Sequence, residues 1–248
     1  MSIVVVGSLR GSPGATTLVV ALSAVWARAG RAPLVVEADP DGGVLAARLG
    51  LGLHPSLTDL AVRARGGVRP DEVWESTQTL PGGGPVVVAH PSPEQCQATL
   101  RNGSDRLAEL LASVPGHDVL VDAGRLRPGS PALPLVEAAS LVLVVVRPRL
   151  EDLATAAQRL GGLNHLGNVG LVLVGDAPYS ASDVAAALGV KVLAVLPVDA
   201  RGAAALGGVA VAKGAARLPL MRSARTLAGD LAARLDAAGD ALPAPEWV

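Results

Sequence analysis

The sequence reads Val6-Gly7-Ser8-Leu9-Arg10-Gly11-Ser12-Pro13-Gly14-Ala15-Thr16-Thr17 near its start, and this stretch decides the fold. It joins a short apolar run, residues 3–6, to a segment in which apolar residues recur at helical spacing. A glycine-rich loop between a strand and a helix gathers backbone amides at the positive end of the helix dipole. The stretch therefore predicts a strand–loop–helix unit whose loop suits a phosphate group.

The rest of the chain repeats this alternation of strand and helix. Further short apolar runs occupy residues 34–37, 86–89, 119–122, 141–146, 170–174 and 192–196. They are continuously apolar, which is typical of parallel strands buried on both faces. Helix starts are indicated by the capping patterns at residues 56–59, 92–95 and 180–183. We predict a doubly wound α/β fold: a mostly parallel sheet of about seven strands with helices on both faces.

Composition excludes several classes of protein. Half of the 248 residues are hydrophobic, which excludes a disordered chain, and the net charge of −1 offers no overall attraction to nucleic acid or membrane. Cys96 is the only cysteine, so no disulfide framework or iron–sulfur site is expected. Residues 1–7 lack the basic region of a signal peptide and residues 236–248 contain no Lys or Arg, so we expect a cytoplasmic protein without membrane insertion. We expect residues 1–238 to form one domain and residues 239–248 a loose tail.

The first loop departs from the common phosphate-loop pattern G-x-x-x-x-G-K-[ST]. Leu9 stands where its first glycine belongs, and Ala15 stands where its lysine belongs. Thr16 keeps the position of the hydroxyl that binds magnesium. By itself the loop leaves two interpretations open, a phosphate site and a purely structural turn.

Two later strands end in carboxylates. The second strand runs into Glu37-Ala38-Asp39-Pro40-Asp41-Gly42, and residues 118–121 lead to Asp122. Together with the first loop, this ordered set resembles the ParA/MinD family of P-loop ATPases, over residues 2–236. Within that family, the Ala15 substitution, Gly42-Gly43 after the acidic strand, and Pro91-Ser92-Pro93-Glu94-Gln95 look like the CpaE/TadZ-type relatives. Those relatives localise pilus or secretion machinery and often have altered phosphate loops.

The resemblance implies ATP or ADP with Mg²⁺ as cofactor, and it assigns roles to residues. Asp39 would lie beside the attacking water, if the protein is active, and Thr16 and Asp122 would hold the magnesium ion. The nucleotide would contact Arg10, Gly11, Ser12, Pro13, Gly14, Ala15, Thr16, Thr17, Pro197 and Asp199.

Ala15 shapes the functional hypothesis, because the missing lysine would hold the terminal phosphates and offset charge during transfer. We therefore expect a positioning or regulatory protein with a degenerate nucleotide site and weak or absent hydrolysis. It would localise pilus, secretion or division machinery through an unidentified protein partner. The resemblance also implies a homodimer with Arg10 near its two-fold axis.

Two alternatives remain from the sequence. One is a working ATPase switch, in which Arg10 and the backbone amides suffice for hydrolysis. The other is a DNA-partition protein that binds DNA non-specifically through Arg217, Arg222 and Arg225, although a solvated helix face also explains these arginines.

Overall fold

The computed structural model describes residues 1–11, 13–26, 32–207 and 215–240. The strands in this part of the chain are β1 (Ile3–Ser8), β2 (Leu34–Glu37), β3 (Gln78–Thr79), β4 (Pro85–Val87), β5 (Val119–Arg125), β6 (Leu141–Val146), β7 (Val169–Val174) and β8 (Val192–Leu196). The α-helices are α1 (Ala15–Val25), α2 (Leu45–Leu49), α3 (Leu57–Arg65), α4 (Pro93–Leu111), α5 (Leu133–Glu137), α6 (Leu150–Leu160), α7 (Ala181–Leu188), α8 (Ala200–Leu206) and α9 (Pro219–Asp240). Short 3₁₀ helices occupy Pro70–Ser76, Asn164–Leu166 and Ala215–Arg217.

The strands form one sheet in the order β3-β4-β2-β5-β1-β6-β7-β8. All neighbours are parallel except β3, a two-residue edge strand that runs antiparallel to β4. The predicted α/β class and mostly parallel sheet are confirmed. The pattern of apolar runs does not predict β3, because a two-residue edge strand contains no apolar run.

Helices cover both faces of the sheet, as the continuously apolar strands predicted. In β1, Ile3 and Val5 belong to the core beneath α3, α4, α5, α6 and α7, whereas Val4 and Val6 belong to the core beneath α1, α2 and α9. This alternation along a buried strand follows from the two-residue period of β structure. Because α1 and β1 share the second core, the loop between them is held at the carboxyl edge of the sheet.

Two of the predicted helix starts have the expected capping boxes, at Ser56 with Asp59 and at Ser180 with Asp183. The last helix, α9, runs to Asp240 and so includes residues 239–240, which the sequence analysis expected in a loose tail. The remaining tail residues, 241–248, lie outside the described residues. Among the residues that the structure describes, no helix combines the length and apolar character needed to cross a membrane.

Candidate functional site

A cavity of about 250 Å³ lies at the carboxyl edge of the sheet, between the first loop and the ends of β2 and β5. Its walls come from four segments: the first loop with the start of α1, the turn after β2, the helix α2, and the end of β5. The lining residues are Ser8, Gly11, Pro13, Gly14, Ala15, Thr16, Thr17, Asp39, Asp41, Val44, Arg48, Gly124 and Arg125. Most of the predicted first-loop residues therefore share one cavity with Asp39, while Ser12 lies outside the described residues.

The start of α1 forms one wall of this cavity. Gly14 precedes the helix with φ +108°, a backbone conformation that glycine adopts readily. The first intrahelical bond runs from the Leu18 N–H to the Gly14 carbonyl at 2.9 Å, and among the described residues no side chain caps the helix. The N–H groups of the first turn therefore have no partner within the helix. They and the helix dipole make this wall suitable for an anion.

Asp122 is fully buried behind Thr16, at the point where the parallel register brings β1, β2 and β5 together. It lies opposite Val6 on one side and Glu37 on the other. Burial raises the pKa of the Asp122 carboxyl to about 7, while the nearby Thr16 hydroxyl and the Gly124 N–H favour its charged form. Oδ1 accepts a hydrogen bond from the Gly124 N–H at 3.1 Å, and Oδ2 has no partner among the described residues.

These features of Asp122 fit a magnesium ion. A buried carboxylate oxygen without a hydrogen-bond partner is costly unless a ligand compensates it. The hydroxyl of Thr16 beside it is the second oxygen that such an ion would use. Among the described residues no group of three or more His, Cys, Asp or Glu side chains is arranged to hold a metal alone. The ion would therefore have to be completed by phosphate oxygens or water.

Glu37, unlike the other carboxylates at this edge, is fully engaged in hydrogen bonds with backbone N–H groups. Its Oε1 accepts hydrogen bonds from the N–H groups of Val44 at 2.6 Å and Leu45 at 2.9 Å, and its Oε2 accepts one from Ala89 at 2.9 Å. The side chain is buried, and that burial raises the pKa of the Glu37 carboxyl. With both oxygens occupied, Glu37 ties the start of α2 to the segment after β4 and does not face the cavity as a free ligand.

Asp39 packs against the end of β5. Its Oδ1 accepts a hydrogen bond from the Asp41 N–H at 2.8 Å. Burial raises the pKa of the Asp39 carboxyl, and the charges of Arg125 and Arg127 oppose that rise. Its carboxyl oxygens lie so close to Gly124 that a Cβ there would stand 2.1 Å from Oδ1. A residue with a side chain at position 124 would therefore displace Asp39.

The end of β5 contains an irregularity that the sequence analysis missed. Val6 pairs with Asp122 and Ser8 with Arg125, so three residues of β5 span the distance that two residues of β1 span. Gly124 occupies this bulge with φ +58°, which glycine tolerates best. The bulge brings Arg125 into the cavity lining. A bulge depends on pairing between distant strands, and the only sequence clue to it is the glycine itself.

A second cavity, of about 200 Å³, lies on the other side of the first loop and shares Pro13, Gly14 and Thr17 with the first. Mostly apolar residues from α1, the carboxyl ends of β6, β7 and β8, and the helices α8 and α9 complete it, namely Leu18, Arg147, Val174, Leu196, Pro197, Val198, Asp199, Ala200, Ala203 and Leu220. The predicted residues Pro197 and Asp199 lie here. The Asp199 carboxylate accepts hydrogen bonds from the N–H groups of Gly202 and Leu220, at 2.9 and 3.1 Å, and so caps α8.

Arg10 projects from the first loop toward α6 and is not part of either cavity lining as the structure describes them. Its Nη1 donates to the Glu151 carbonyl at 3.0 Å, and its Nε lies 3.9 Å from Asp152 Oδ1. The first turn of α6 therefore holds the side chain in this structure. The opposite end of α6 also holds the loop, because Arg159 Nη1 donates to the Leu9 carbonyl at 2.5 Å.

The late arginines are not among the described lining residues of either cavity. Arg217, Arg222 and Arg225 are exposed at and just before the start of α9. Their exposure fits the solvated helix face that the sequence analysis allowed, and it is equally compatible with a DNA contact.

No family model matches the sequence, and a search of curated proteins finds no significant match. Solved structures do match. A ParA family ATPase from Chlorobium tepidum superposes with a TM-score of 0.76 at 17% identity, over 92% of this chain and 98% of that one. The septum site-determining protein MinD of Pyrococcus horikoshii, complexed with Mg-ADP, superposes with a TM-score of 0.71 at 19% identity, over 93% of this chain and 95% of that one. The MinC:MinD cell division protein complex of Aquifex aeolicus contains a chain that superposes with a TM-score of 0.70 at 17% identity, over 100% of this chain and 99% of that one. At these identities the likeness establishes a ParA/MinD-type fold.

Proposed function

We propose that this protein binds a magnesium–adenine nucleotide, hydrolyses it weakly or not at all, and acts as a positioning or regulatory module. The observation that carries the proposal is the composition of the first cavity. It combines an uncapped helix start, Thr16 and the carboxylate of Asp39 with a methyl group, that of Ala15, where a phosphate-binding lysine would be expected. The site suits binding better than hydrolysis.

Nucleotide binding is supported by the different chemical character of the two adjoining cavities. The phosphates of a nucleotide would accept hydrogen bonds from the N–H groups at the start of α1, and Thr16 and Asp122 would hold magnesium. Magnesium supplies positive charge to the terminal phosphates when it is bound. The neighbouring apolar cavity, which contains Pro197, would take the base. Few polar groups beside an apolar wall are typical of a small-molecule site.

Weak hydrolysis is supported by the position of the lysines. Lys191 precedes β8 and therefore lies at the amino edge of the sheet, opposite the cavity, and Lys213 lies outside the described residues. Loss of one preorganised donor to a developing charge lowers a rate by about 10²–10³. Without that donor, bound nucleotide would serve as a structural signal more than as a fuel.

The positioning role rests on analogy with two groups of proteins. The first-loop substitution resembles the CpaE/TadZ-type relatives, which localise pilus or secretion machinery. The Aquifex aeolicus MinD of similar fold was solved in a complex with MinC. We therefore propose a protein partner for this chain and a cytoplasmic location. Residues 1–238 would act as one domain in this role.

A working ATPase is the second candidate, and Arg125 favours it. This arginine lines the same cavity as Ala15, so a cation is available in the cavity that lacks the lysine. A DNA-partition role rests only on the exposed Arg217, Arg222 and Arg225. Non-specific DNA binding would be recognised by an affinity that falls steeply with salt concentration.

Isothermal titration with ATP and ADP, with and without magnesium, tests the proposal. We expect binding that strengthens with magnesium, and a hydrolysis rate at the level of the Asp39→Ala variant. Ala15→Lys should raise nucleotide affinity, because the loop and Thr16 are in place. Hydrolysis within about tenfold of a working relative, abolished by Asp39→Ala, would establish the ATPase candidate instead. Absence of any nucleotide binding would refute the proposal.

A further inference from the structure

Three carboxylates lie in or just behind the wall of the first cavity. Asp39 and Asp41 line it, and the buried Asp122 lies behind Thr16. A polyphosphate brings further negative charge into the same space. One magnesium ion offsets only part of this charge, so a ligand with several phosphates needs a cation from the protein. Ala15 cannot supply it, and the source must be another residue of the cavity wall.

Arg48 and Arg125 are the two arginines among the cavity-lining residues that the structure describes. Arg48 lies in the last turn of the short helix α2 and is exposed to solvent, where its charge is screened. Arg125 is partly buried, and its charge acts on Asp39. The nearby Arg127 is exposed and forms an ion pair with Asp41. Arg125 is therefore the arginine best placed to act on a ligand inside the cavity.

The bulge at Gly124 explains why Arg125 faces this cavity. In a regular strand, Asp122 and a residue three positions later would point to opposite faces of the sheet. The extra residue of the bulge restores Arg125 to the face of Asp122, which is the face covered by α1. Ala123, which precedes the bulge, packs in the core of the opposite face. The backbone thus places the side chains of Arg125 and Asp122 on the same face of the sheet.

The hydrogen bonding of Arg125 leaves it available for a ligand. Its Nε atom is buried and has no hydrogen-bond partner among the described residues. A buried donor without a partner costs stability unless a ligand fills its place. The guanidinium group also presents its donors in a fixed plane that matches phosphate oxygens in pairs.

We propose that Arg125 binds the terminal phosphates of the nucleotide and thereby supplies, for binding, the positive charge that Ala15 lacks. The inference rests on the proposed nucleotide-binding function and extends it by naming the cation and the ligand class, nucleoside di- and triphosphates over monophosphates. The positive charge in the cavity then comes from a side chain at the end of β5 instead of from one in the first loop. Nucleotide binding thereby becomes dependent on the bulge that Gly124 permits.

The test compares Arg125→Gln with wild type by titration with magnesium–ATP, ADP and AMP. We expect Arg125→Gln to weaken ATP and ADP binding by about ten- to hundredfold, the range for one hydrogen-bonded charge, and to change AMP binding much less. Arg125→Lys should retain part of the affinity. The matched control, Arg106→Gln, removes an exposed arginine of α4 that pairs with Glu109, and it should leave all three affinities unchanged.

A double variant separates a ligand contact from a structural role. If Arg125 supplies the missing cation, Ala15→Lys combined with Arg125→Gln should regain most of the lost ATP affinity. Thermal unfolding without ligand should show that Arg125→Gln is folded and only slightly less stable than wild type, because it loses the attraction to Asp39 but no hydrogen bond of the buried Nε–H. A structural role would instead cause a large loss of stability and weaken the binding of all nucleotides alike.

Each remaining outcome has a distinct meaning. If wild type binds ATP and Arg125→Gln binds it equally well, the inference is wrong and the nucleotide function stands. Equal losses for ATP and AMP also overturn it, because the contact would then not involve the terminal phosphates. If wild type binds no nucleotide, the proposed function fails and this inference fails with it.

Discussion

Gly124 shows how one residue can set the geometry of a whole site. It combines a positive φ with a contact that leaves no room for a Cβ, since Asp39 Oδ1 lies 2.1 Å from the position that this atom would take. The same residue donates its N–H to Asp122. Position 124 therefore bears on all three side chains: a side chain there would displace Asp39, and the backbone conformation of Gly124 sets the N–H to Asp122 and the direction of Arg125.

We expect Gly124→Ala to destabilise the protein and to weaken nucleotide binding. A left-handed conformation costs an L-residue about 1–2 kcal/mol, and the contact with Asp39 adds to this cost. Gly129→Ala is the matched control, because Gly129 has φ +71° and open space where a Cβ would be placed. Urea unfolding should give the larger loss for Gly124→Ala. Equal losses for the two variants would mean that the contact with Asp39 relaxes without cost.

Asp122 should make the stability of the unliganded protein depend on pH. Its folded pKa, about 7, lies above the ordinary value of 3.8, because burial penalises the charged form. The folded state therefore holds a proton that the unfolded chain releases between these two values. The stabilising contribution is complete below about pH 4 and is lost as the pH rises toward 7.

We expect Asp122→Asn to melt at nearly the wild-type temperature near pH 4 and several degrees higher at pH 8, since about 1 kcal/mol shifts Tm by about 2–4 °C in a domain of this size. Calorimetry across this pH range measures the difference. For Asp105→Asn, at an exposed position of α4, the difference in melting temperature from wild type should stay the same across this pH range. A difference that stays constant with pH would contradict the prediction.

At the scale of elements, the helix α2 is held by a carboxylate from a neighbouring strand. Glu37 ends β2 and receives the N–H groups of Val44 and Leu45 at the start of α2, together with that of Ala89 after β4. Short helices contribute little stability of their own. The placement of α2, and with it of Arg48 at the cavity wall, therefore depends on this one buried side chain.

We expect Glu37→Gln to lower the free energy of unfolding by about 1–3 kcal/mol, because the amide can accept at one atom only and leaves a buried N–H without a partner. Denaturant unfolding at pH 7 measures this loss. Glu137→Gln, at the exposed end of α5, controls for the removal of a charge. An unchanged midpoint in Glu37→Gln would show that water replaces the lost acceptor.

At the scale of the whole molecule, exposed apolar side chains lie on the carboxyl edge of the sheet. Leu150 at the start of α6 is 67% exposed, and Val198 after β8 is 79% exposed. Arg10 is bound to Glu151 and Asp152 in the first turn of α6, the turn that Leu150 begins. Exposed apolar residues grouped with a charged one are typical of an interaction surface.

We expect a homodimer through this edge that forms without nucleotide, since Ala15 weakens the role of ATP between subunits. Light scattering at tens of micromolar should give a dimer for wild type and a monomer for Leu150→Glu, with Arg10→Ala intermediate. Val62→Glu changes a similarly exposed apolar residue on α3, 53% exposed, and should leave the dimer intact. A wild-type monomer, unchanged by ATP and magnesium, would rule out this assembly.

The sequence by itself determined the α/β class, the parallel strands, the capping boxes at Ser56 and Ser180, and the position of the first loop at the carboxyl edge. These features follow from local periodicity and turn chemistry, which neighbouring residues carry. The clustering of the first loop with Asp39 followed from the rule that parallel strands share an edge.

Only the tertiary structure decided how each side chain at that edge is used. Glu37 caps α2 because Val44 and Ala89 approach it from distant parts of the chain, and Arg10 turns to α6 because the Glu151 carbonyl lies within reach. Arg125 enters the cavity because a bulge against β1 inverts the alternation that its sequence position implies. Pairing, burial and charge between distant segments set these outcomes, and a local pattern does not contain them.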